Sequence, residues 1–317
     1  SPSLKIIADI DKAKKNDEGM VEFSSDFILL KPIILKKGNS RLFFDYGNRG
    51  NIRALQFFND AKGSNSPLTE EHVGNGFLFR RGYSILFAAW QGDILAGNDR
   101  LLMTLPLAIH DCGAPIIGDI RTEFILNSKN IFCLPVSGFI STRGHEAVSL
   151  NTKDASLTKR KKPYDERQLI DPKSWQFARI ESGGGLDGQG VEEAIIPSPF
   201  HIYMPEGFKT NLIYELTYKG QNPLVLGLGH VAIRDLISFL RYAKFDEIGT
   251  PNPLANNVEK AYCWGRSQTG RAIRDALYLG FNADTKGRKV FDGVMPHVSG
   301  AGKMWFNHRF AVGTSPA

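Results

Sequence analysis

The stretch from residue 258 to residue 280 constrains the fold more than any other part of the sequence. It begins with residues 258–264, a short run rich in apolar and aromatic side chains that is typical of a buried strand. It continues with residues 271–280, whose apolar side chains recur on one helical face, and Gly280 suits a helix end. The sequence therefore predicts a strand, a sharp turn with Ser267 at its tip, and a helix.

The turn itself reads Gly265-Arg266-Ser267-Gln268-Thr269-Gly270, close to the G-x-S-x-G pattern of a nucleophile elbow. The fifth position holds Thr269 and the glycine comes one place later, so the match is imperfect. A serine at a helix N-terminus lies beside free N–H groups, which favour a developing oxyanion. A plain helix cap after an ordinary strand is the alternative, and the turn alone does not decide between them.

Composition sets the class of protein. The 317 residues are 42% hydrophobic and 23% charged, as expected for a soluble globular protein of one large or two ordinary domains. No run approaches the ~18–20 apolar residues of a membrane span. The sequence starts with Ser1 and not with Met, so the compartment stays open, and a secreted or periplasmic protein whose signal was removed is one alternative.

The charge and the cysteines exclude some partners. The net charge is +6, but the basic residues are scattered, and the dense run at residues 159–162 precedes a proline, so we expect a solvated loop and no nucleic-acid binding. The cysteines Cys112, Cys133 and Cys263 form no C-x-x-C pair, and Cys263 is expected in the core. We expect no metal and no cofactor.

The first hundred residues contain a second strand, loop and helix. We predict strands at residues 27–30 and 33–35, then a strand at 40–46, a Gly/Asn loop at 47–51 and a short helix at 52–59. The loop is either an anion-binding corner or a tight surface turn. A charge-free run at 83–90 predicts a central parallel strand.

From residue 100 to about 226 the pattern changes to short strand-like runs separated by turn residues, which predicts a mainly antiparallel β insertion. The glycine-rich residues 183–190 have no strand before them and no helix after them, so a phosphate-binding loop is not expected. A helix at 231–242 and a strand at 289–296 flank the elbow unit. The expected domains are therefore an N-terminal part at 1–99, an insertion or cap at 100–226, and an elbow half at 227–317.

Several segments together resemble a known family. The elbow with Arg271, the run Val290-Phe291-Asp292-Gly293-Val294-Met295-Pro296-His297, and Asn48-Arg49-Gly50-Asn51 are similar to a family of large, mostly uncharacterised α/β-hydrolase-domain proteins. The resemblance covers roughly residues 20–311 and implies an α/β-hydrolase fold, with a mostly parallel sheet and helices on both faces. It also implies a serine hydrolase of carboxylic esters acting on a small-molecule substrate.

The site residues follow from that resemblance. Ser267 is expected to be the nucleophile, the N–H of Gln268 one oxyanion donor, and a backbone N–H in the loop at Asn48 the other. Trp90, His297 and Arg49 are expected to line the substrate pocket, and for Trp90 a core position is an equal alternative.

The acid and base of a triad are not found in the sequence. In this fold they follow the nucleophile on later strands, and we expect that the chain lacks the last strands of the fold. His297 and His308 are expected to be pocket or structural residues, and the role of His230 stays open. The alternative function is a non-catalytic hydrolase-fold protein that binds through its β insertion. The sequence does not indicate an oligomeric state.

Overall fold

The computed structural model describes residues 2–139, 141–182 and 193–312. The α-helices are α1 (Ala54–Phe58), α2 (Phe77–Arg80), α3 (Leu228–Tyr242) and α4 (Gln268–Tyr278). The strands are β1 (Ser24–Ser25), β2 (Phe27–Leu30), β3 (Arg41–Tyr46), β4 (Ser84–Ala88), β5 (Met103–Thr104), β6 (Ile117–Ile125), β7 (Ile131–Pro135), β8 (Glu146–Ala147), β9 (Ser156–Arg160), β10 (Gln168–Leu169), β11 (Ala178–Ser182), β12 (Glu193–Pro197), β13 (His201–Phe208), β14 (Ile213–Gln221), β15 (Lys260–Arg266) and β16 (Gly293–His297). Short 3₁₀ helices lie at Pro2–Ile6, Ile10–Lys12, Leu35–Lys37, Glu70–His72, Thr152–Asp154 and Pro172–Ser174. The glycine-rich residues 183–190 lie outside the described residues.

The chain divides into two compact units. Unit 1 consists of Ser1–Asp11, Lys15–Pro106 and Val225–Ala317, and unit 2 consists of Lys12–Lys14 and Leu107–Leu224. Unit 1 therefore draws on both ends of the sequence, with most of unit 2 placed between them in the chain.

A five-stranded sheet forms the centre of unit 1, with the strand order β16-β15-β3-β4-β2. Three of its four pairings are parallel, and only the edge strand β2 runs antiparallel to its neighbour β4. Every residue of β4 is buried, and so is every residue of β3 after Arg41. Strands with such continuous burial need cover on both faces of the sheet.

Helices provide that cover. On one face, α1 packs against the sheet through Phe58, whose ring lies 5.0 Å from that of Phe43 and 5.3 Å from that of Trp264. On the other face, α4 packs over β15 and β3, and residues of α4 enclose a small apolar cavity together with Tyr46 and Cys263. Cys263 is buried, as predicted.

The parallel register brings three strand ends to one edge of this sheet. Trp264 in β15 lies opposite Asp45 in β3, and Arg266 lies opposite His297 in β16. The residues that follow β3 and β15 therefore leave the sheet at the same edge, which places the loop after Tyr46 beside Ser267.

Unit 2 is built from antiparallel pairs. In its main sheet the order is β10-β9-β14-β6, and β8 also pairs with β14. The longest ladder joins β14 to β6, from Ile213 opposite Ile125 to Gln221 opposite Ile117. The other pairs of this unit, β11 with β12 and β13 with β7, are antiparallel as well. Most strand pairs of the described chain are thus antiparallel, and the parallel ones lie in the sheet of unit 1.

Two local predictions were wrong. Residues 33–35 do not form a strand, and the chain there turns into the 3₁₀ helix Leu35–Lys37 after Pro32. The basic run at 159–162 is not wholly a solvated loop, because Lys159 and Arg160 belong to β9 and the Arg160 side chain is only 3% exposed. Arg160 pairs there with Glu215 and Glu123, and neighbouring carboxylates of this kind make burial of an arginine tolerable.

Across the described ranges, no helix has both the length and the apolar character needed to cross a bilayer. Nor do three or more His, Cys, Asp or Glu side chains in those ranges come together as a set that could hold a metal ion.

Candidate functional site

Ser267 has an unusual backbone conformation at the junction of β15 and α4. Its φ is 60° and its ψ is −115°, in a region that a residue with a side chain rarely adopts and that costs about 1–3 kcal/mol. Its N–H donates a hydrogen bond of 3.0 Å to the carbonyl of His297, and the residue is exposed. The turn thus holds the serine at the surface of the sheet edge in a strained conformation.

Two glycines allow strand and helix to approach closely at this turn. A Cβ atom on Gly265 would lie 2.8 Å from the carbonyl oxygen of Thr269, and one on Gly270 would lie 2.9 Å from that of His297. Real Cβ atoms do not come so close to backbone oxygens. The glycine that follows Thr269 therefore has the packing role that the elbow pattern assigns to a glycine one place earlier.

Thr269 itself closes the turn. The side chain is buried, and its Oγ1 accepts the N–H of Arg266 at 2.9 Å and donates to the carbonyl of Arg266 at 3.1 Å. These two bonds are local side-chain to backbone bonds that fix a turn. The departure from G-x-S-x-G at this position is therefore compatible with a tight elbow.

Gln268 follows Ser267 as the first residue of α4. Its side chain is buried, and its Nε2 donates to the Oε1 of Gln91 at 3.1 Å, at the end of the segment that follows β4. The first N–H groups of a helix have no partner within the helix. The side chain of Gln268 is thus anchored inward while its backbone N–H lies in the first turn beside Ser267.

The loop after β3 is a tight turn at residues 48–51. The N–H of Asn48 donates to the carbonyl of Asn51 at 2.9 Å, and the N–H of Asn51 donates back at 3.0 Å. Arg49 and Gly50 both have positive φ, 52° and 75°, as the two central residues of such a turn require. The backbone N–H of Asn48 is therefore engaged within the turn, and the second oxyanion donor expected from this loop stays a prediction.

The side chain of Asn48 reaches the elbow instead. Its Nδ2 donates to the carbonyl of Arg266 at 3.3 Å, and its Oδ1 accepts from Nη1 of Arg49 at 3.0 Å. An amide nitrogen carries two hydrogens. None of the described residues accepts the second one.

A cavity of about 380 Å³ lies at this edge of the sheet. Its wall includes Asn48, Arg49, Arg53, Trp264, Arg266 and Ser267. A volume of this size is enough for a small organic ligand. Three of the sequence-predicted site residues, Ser267, Asn48 and Arg49, are thus brought together in one cavity wall.

Trp90 lies in the core and not in this wall. It is 1% exposed, its ring packs on those of Tyr46 and Phe306, and its Nε1–H donates to the carbonyl of Gly47 at 2.6 Å. Trp90 is therefore a core residue, which was the alternative interpretation, and it does not line this cavity. A buried indole N–H needs an acceptor, and here that acceptor is at the start of the loop.

His297 contributes its backbone rather than its ring. The side chain is exposed at the end of β16 and is not part of the wall described above, while the carbonyl accepts the N–H of Ser267. In the described part of the chain, no histidine or carboxylate side chain hydrogen-bonds to Ser267 Oγ. The residues that would act as acid and base are therefore not assigned.

A buried polar chain connects β3 to the elbow helix. His230 of α3 lies with Nδ1 3.1 Å from the hydroxyl of Tyr46 and Nε2 3.1 Å from a carboxylate oxygen of Asp275 in α4. Burial raises the pKa of the Tyr46 hydroxyl well above its usual value, so this group stays protonated. Sequence reasoning left His230 open, and a histidine directly before the apolar run at residues 231–233 was the available signal.

Asp45 was missed from the sequence, although it is an acid near the end of an apolar strand, one residue before its last residue Tyr46. It is fully buried, and its Oδ2 accepts the N–H groups of Arg53 at 2.6 Å and Ala54 at 2.8 Å. Its other oxygen, Oδ1, has no hydrogen-bond partner among the described residues. Burial raises the pKa of Asp45 to about 6, and the two N–H bonds and Arg53 only partly oppose this effect.

Comparison with known proteins supplies one positive finding. Residues 215–314 match the model of a family described as an alpha/beta hydrolase domain, and this segment contains α3, β15, Ser267, α4 and β16. Searches among curated proteins and among solved structures found no match. The resemblance to α/β-hydrolase-domain proteins is thus confirmed for this segment, and its description indicates a hydrolase.

Proposed function

We propose that the chain is a serine hydrolase that cleaves carboxylic esters through an acyl-enzyme on Ser267. The observation that carries the proposal is the backbone of Ser267, held at φ 60° and ψ −115° between a parallel strand and a helix, in the wall of a cavity. A strained residue at such a strand-to-helix turn is the geometry that exposes a nucleophile. Ser267 lies at the N-cap position of α4, but its side chain makes no capping hydrogen bond to a described residue, so a simple helix cap does not account for this conformation.

The proposed reaction has two steps, acylation of Ser267 and hydrolysis of the resulting acyl-enzyme. Ser267 Oγ attacks the ester carbonyl carbon and gives up its proton to a base, and the alcohol leaves with a proton as the bond to its oxygen breaks. Water then attacks the acyl group on Ser267, releases the acid and restores the hydroxyl.

The oxyanion formed in both steps needs two donors. We assign the backbone N–H of Gln268 as one, since it lies in the first turn of α4 directly after Ser267. We assign the side-chain amide of Asn48 as the second donor. The backbone N–H of Asn48 is bonded to the carbonyl of Asn51, whereas Nδ2 of Asn48 lies at the carbonyl of Arg266, next to Ser267.

The fold supports the same proposal. The five-stranded, mainly parallel sheet of unit 1, with α1 on one face and α4 on the other, serves as the sheet of an α/β-hydrolase fold. Unit 2, with its antiparallel pairs, serves as an insertion of this domain. The substrate is accordingly a small ester that fits the cavity of about 380 Å³.

The test is hydrolysis of 4-nitrophenyl butyrate by the chain at its full natural length. We expect turnover that falls by about 10⁴-fold or more in Ser267→Ala, because removal of a nucleophile is among the largest losses that one substitution causes. The matched control is Ser299→Ala, which removes a hydroxyl beside the elbow. Turnover that survives Ser267→Ala would contradict the proposal. Complete inactivity of the folded wild-type protein would favour the alternative, a binding protein of hydrolase fold.

A further inference from the structure

The cavity beside Ser267 is strongly cationic. Three arginines, Arg49, Arg53 and Arg266, contribute to its wall, and Asp45 is the one acid in that wall. The side chain of Asp45 is fully buried, and two backbone N–H groups bond to one of its oxygens. A ligand that enters the cavity therefore meets guanidinium groups rather than carboxylates.

Two of these arginines are not neutralised by an ion pair. Within the described ranges, neither Arg53 nor Arg266 has a carboxylate at salt-bridge distance. Arg53 donates from Nη1 to the neutral Oε1 of Gln56 at 3.1 Å, although its charge is close enough to lower the pKa of Asp45. Arg49 has Asp93 and Asn48 as neighbours, so the inference does not depend on Arg49.

Arg266 is held in place by an aromatic ring. Its guanidinium lies over the ring of Phe57, 5.2 Å from the centroid, and the Phe57 ring itself packs against Trp264 at 5.3 Å. A guanidinium stacked in this way keeps its N–H donors in a fixed plane at its edge. Phe57 remains 47% exposed, so this stack forms an apolar side of the cavity that is open to a ligand.

The chemistry of the wall favours an anion with paired oxygens, such as a carboxylate. A guanidinium is planar and presents paired N–H donors that match the two oxygens of a carboxylate, and such charge-assisted bonds are stronger than neutral ones. Because Arg266 is the residue directly before Ser267, a ligand carboxylate bound there lies within the span of a short chain from the serine.

We propose that the substrate is an ester whose acyl group carries a free carboxylate, such as the monoester of a short dicarboxylic acid. Arg53 and Arg266 bind the carboxylate, and the ester carbonyl lies at Ser267. This inference rests on the proposed function, because it names the substrate class of the same site.

The first experiment compares two esters of equal length. The 4-nitrophenyl monoester of glutaric acid is anionic, and 4-nitrophenyl pentanoate is neutral. We expect kcat/KM to be at least about 10-fold higher for the anionic ester at low salt, on the scale of two partly exposed ion pairs, and we expect the preference to shrink as ionic strength rises.

Substitutions of Arg53 and Arg266 test whether these residues cause the preference for the anionic ester. Arg53→Gln and Arg266→Gln are each expected to lower the anionic-to-neutral ratio of kcat/KM about 3- to 5-fold, and the double variant about 10-fold or more. The control is Arg41→Gln, an exposed arginine at the opposite end of β3, which should leave the ratio unchanged. A ratio near one in the wild type, or a ratio that both variants leave intact, overturns the inference while ester hydrolysis itself upholds the proposed function.

A binding measurement covers the case in which neither ester is hydrolysed, which would count against the proposed function. Glutarate monoethyl ester is titrated calorimetrically into the Ser267→Ala protein. Saturable binding supports the carboxylate site if it weakens about 10-fold when Arg53→Gln and Arg266→Gln are both added to the Ser267→Ala protein. Absence of saturable binding overturns it.

Discussion

Two buried carboxylates, Asp45 in unit 1 and Glu215 in unit 2, show how partners and not burial alone decide the charge of a group. Asp45 is 0% exposed and Glu215 is 7% exposed. Burial raises the pKa of Asp45 to about 6, because its partners are mainly backbone N–H groups. Burial also acts to raise the pKa of Glu215, but hydrogen bonds and charges from Arg167 and Arg121 outweigh it and hold this pKa at about 2.

The same contrast applies to the arginines. Around Glu215, Arg121, Arg160 and Arg167 all pair with carboxylates, at distances such as 2.6 Å for Arg121 and 2.8 Å for Arg167. At the cavity in unit 1, Arg53 and Arg266 pair with no described carboxylate. The cluster at Glu215 therefore joins the strands of a sheet, whereas the arginines of the cavity are left for the carboxylate ligand that we propose. Substitutions at the cavity should accordingly change the catalytic rate, and substitutions at the Glu215 cluster should change the free energy of unfolding.

The largest expected effect is on catalysis at the cavity. Asn48→Ala removes the amide that we assign as an oxyanion donor, and we expect kcat to fall about 10²- to 10³-fold with little change in KM. Steady-state kinetics on 4-nitrophenyl butyrate measure this, and Asn48→Asp serves as a variant of equal size without the donor. A loss of unfolding free energy with unchanged kcat would mean that Asn48 has only a structural role.

The next effect is on stability at the cluster. Glu215→Gln leaves the guanidinium of Arg160, which is 3% exposed, with Glu123 as its remaining carboxylate, and we expect the free energy of unfolding to fall by about 3 kcal/mol at pH 7. Urea unfolding measures the change, and kcat of the folded protein should stay the same. Glu206→Gln, an exposed acid of β13 in the same unit, is the control.

The pH dependence of that change follows from the lowered pKa. Glu215 stabilises the folded chain fully above its unfolded pKa of 4.5, and this contribution is lost as pH falls towards about 2. The difference between wild type and Glu215→Gln should therefore narrow as the pH is lowered from 5 to 3. A difference that stays constant over this range would contradict the ion-pair account of the cluster.

Asp45 should show the opposite sign. Because its pKa is higher in the folded chain, at about 6, than its ordinary value of 3.8, the free energy of unfolding falls as pH rises between these values. Asp45→Asn keeps an acceptor oxygen for the N–H groups of Arg53 and Ala54 and removes the buried charge. We expect the variant to be more stable than the wild type at pH 8, by at most about 3 kcal/mol.

The gain from Asp45→Asn should shrink as the pH falls from about 6 to 3.8 and disappear near about pH 3, where the wild-type carboxyl is neutral in both states. Thermal unfolding across about pH 3–8 measures this gain, with Asp17→Asn, an exposed acid, as the control. A variant that is less stable than the wild type at pH 8 would show that the Asp45 carboxylate is stabilised by its partners in the way that Glu215 is.

The smallest expected effect concerns the elbow turn. Thr269→Ala removes the two bonds to the backbone of Arg266, and we expect a loss of about 1 kcal/mol of unfolding free energy. Thr269→Ser keeps the hydroxyl and should recover most of this loss. Equal destabilisation by both variants would indicate that packing of the methyl group, and not the hydroxyl, holds the turn.

Much of the sheet in unit 1 could be predicted because its strands are short apolar runs next to turn residues. The elbow strand and helix were expected near residues 258–264 and 271–280 and are observed at Lys260–Arg266 and Gln268–Tyr278. The strand expected at 83–90 is Ser84–Ala88. The position of Ser267 between strand and helix follows from this local pattern alone.

Long-range polar partners could not be predicted in the same way. Strand β9 contains Ser, Thr, Lys and Arg, and the carboxylate of Glu215 that pairs with the buried Arg160 is 55 residues away in the sequence, on the paired strand β14. For Trp90 the sequence left a pocket position and a core position open, because the acceptor of its N–H, the carbonyl of Gly47, lies 43 residues earlier in the chain. The backbone bond that engages the N–H of Asn48 depends on the dihedral angles of Arg49 and Gly50, which residue types alone do not fix.

The most direct test of the account is covalent labelling of the chain at its full natural length with a fluorophosphonate, followed by mass spectrometry of its peptides. This reagent forms a bond to an activated serine oxygen and releases fluoride. We predict one adduct per chain, located on Ser267, and no adduct in Ser267→Ala. An adduct on another residue, or no adduct on folded wild-type protein, would contradict the assignment of Ser267 as the nucleophile.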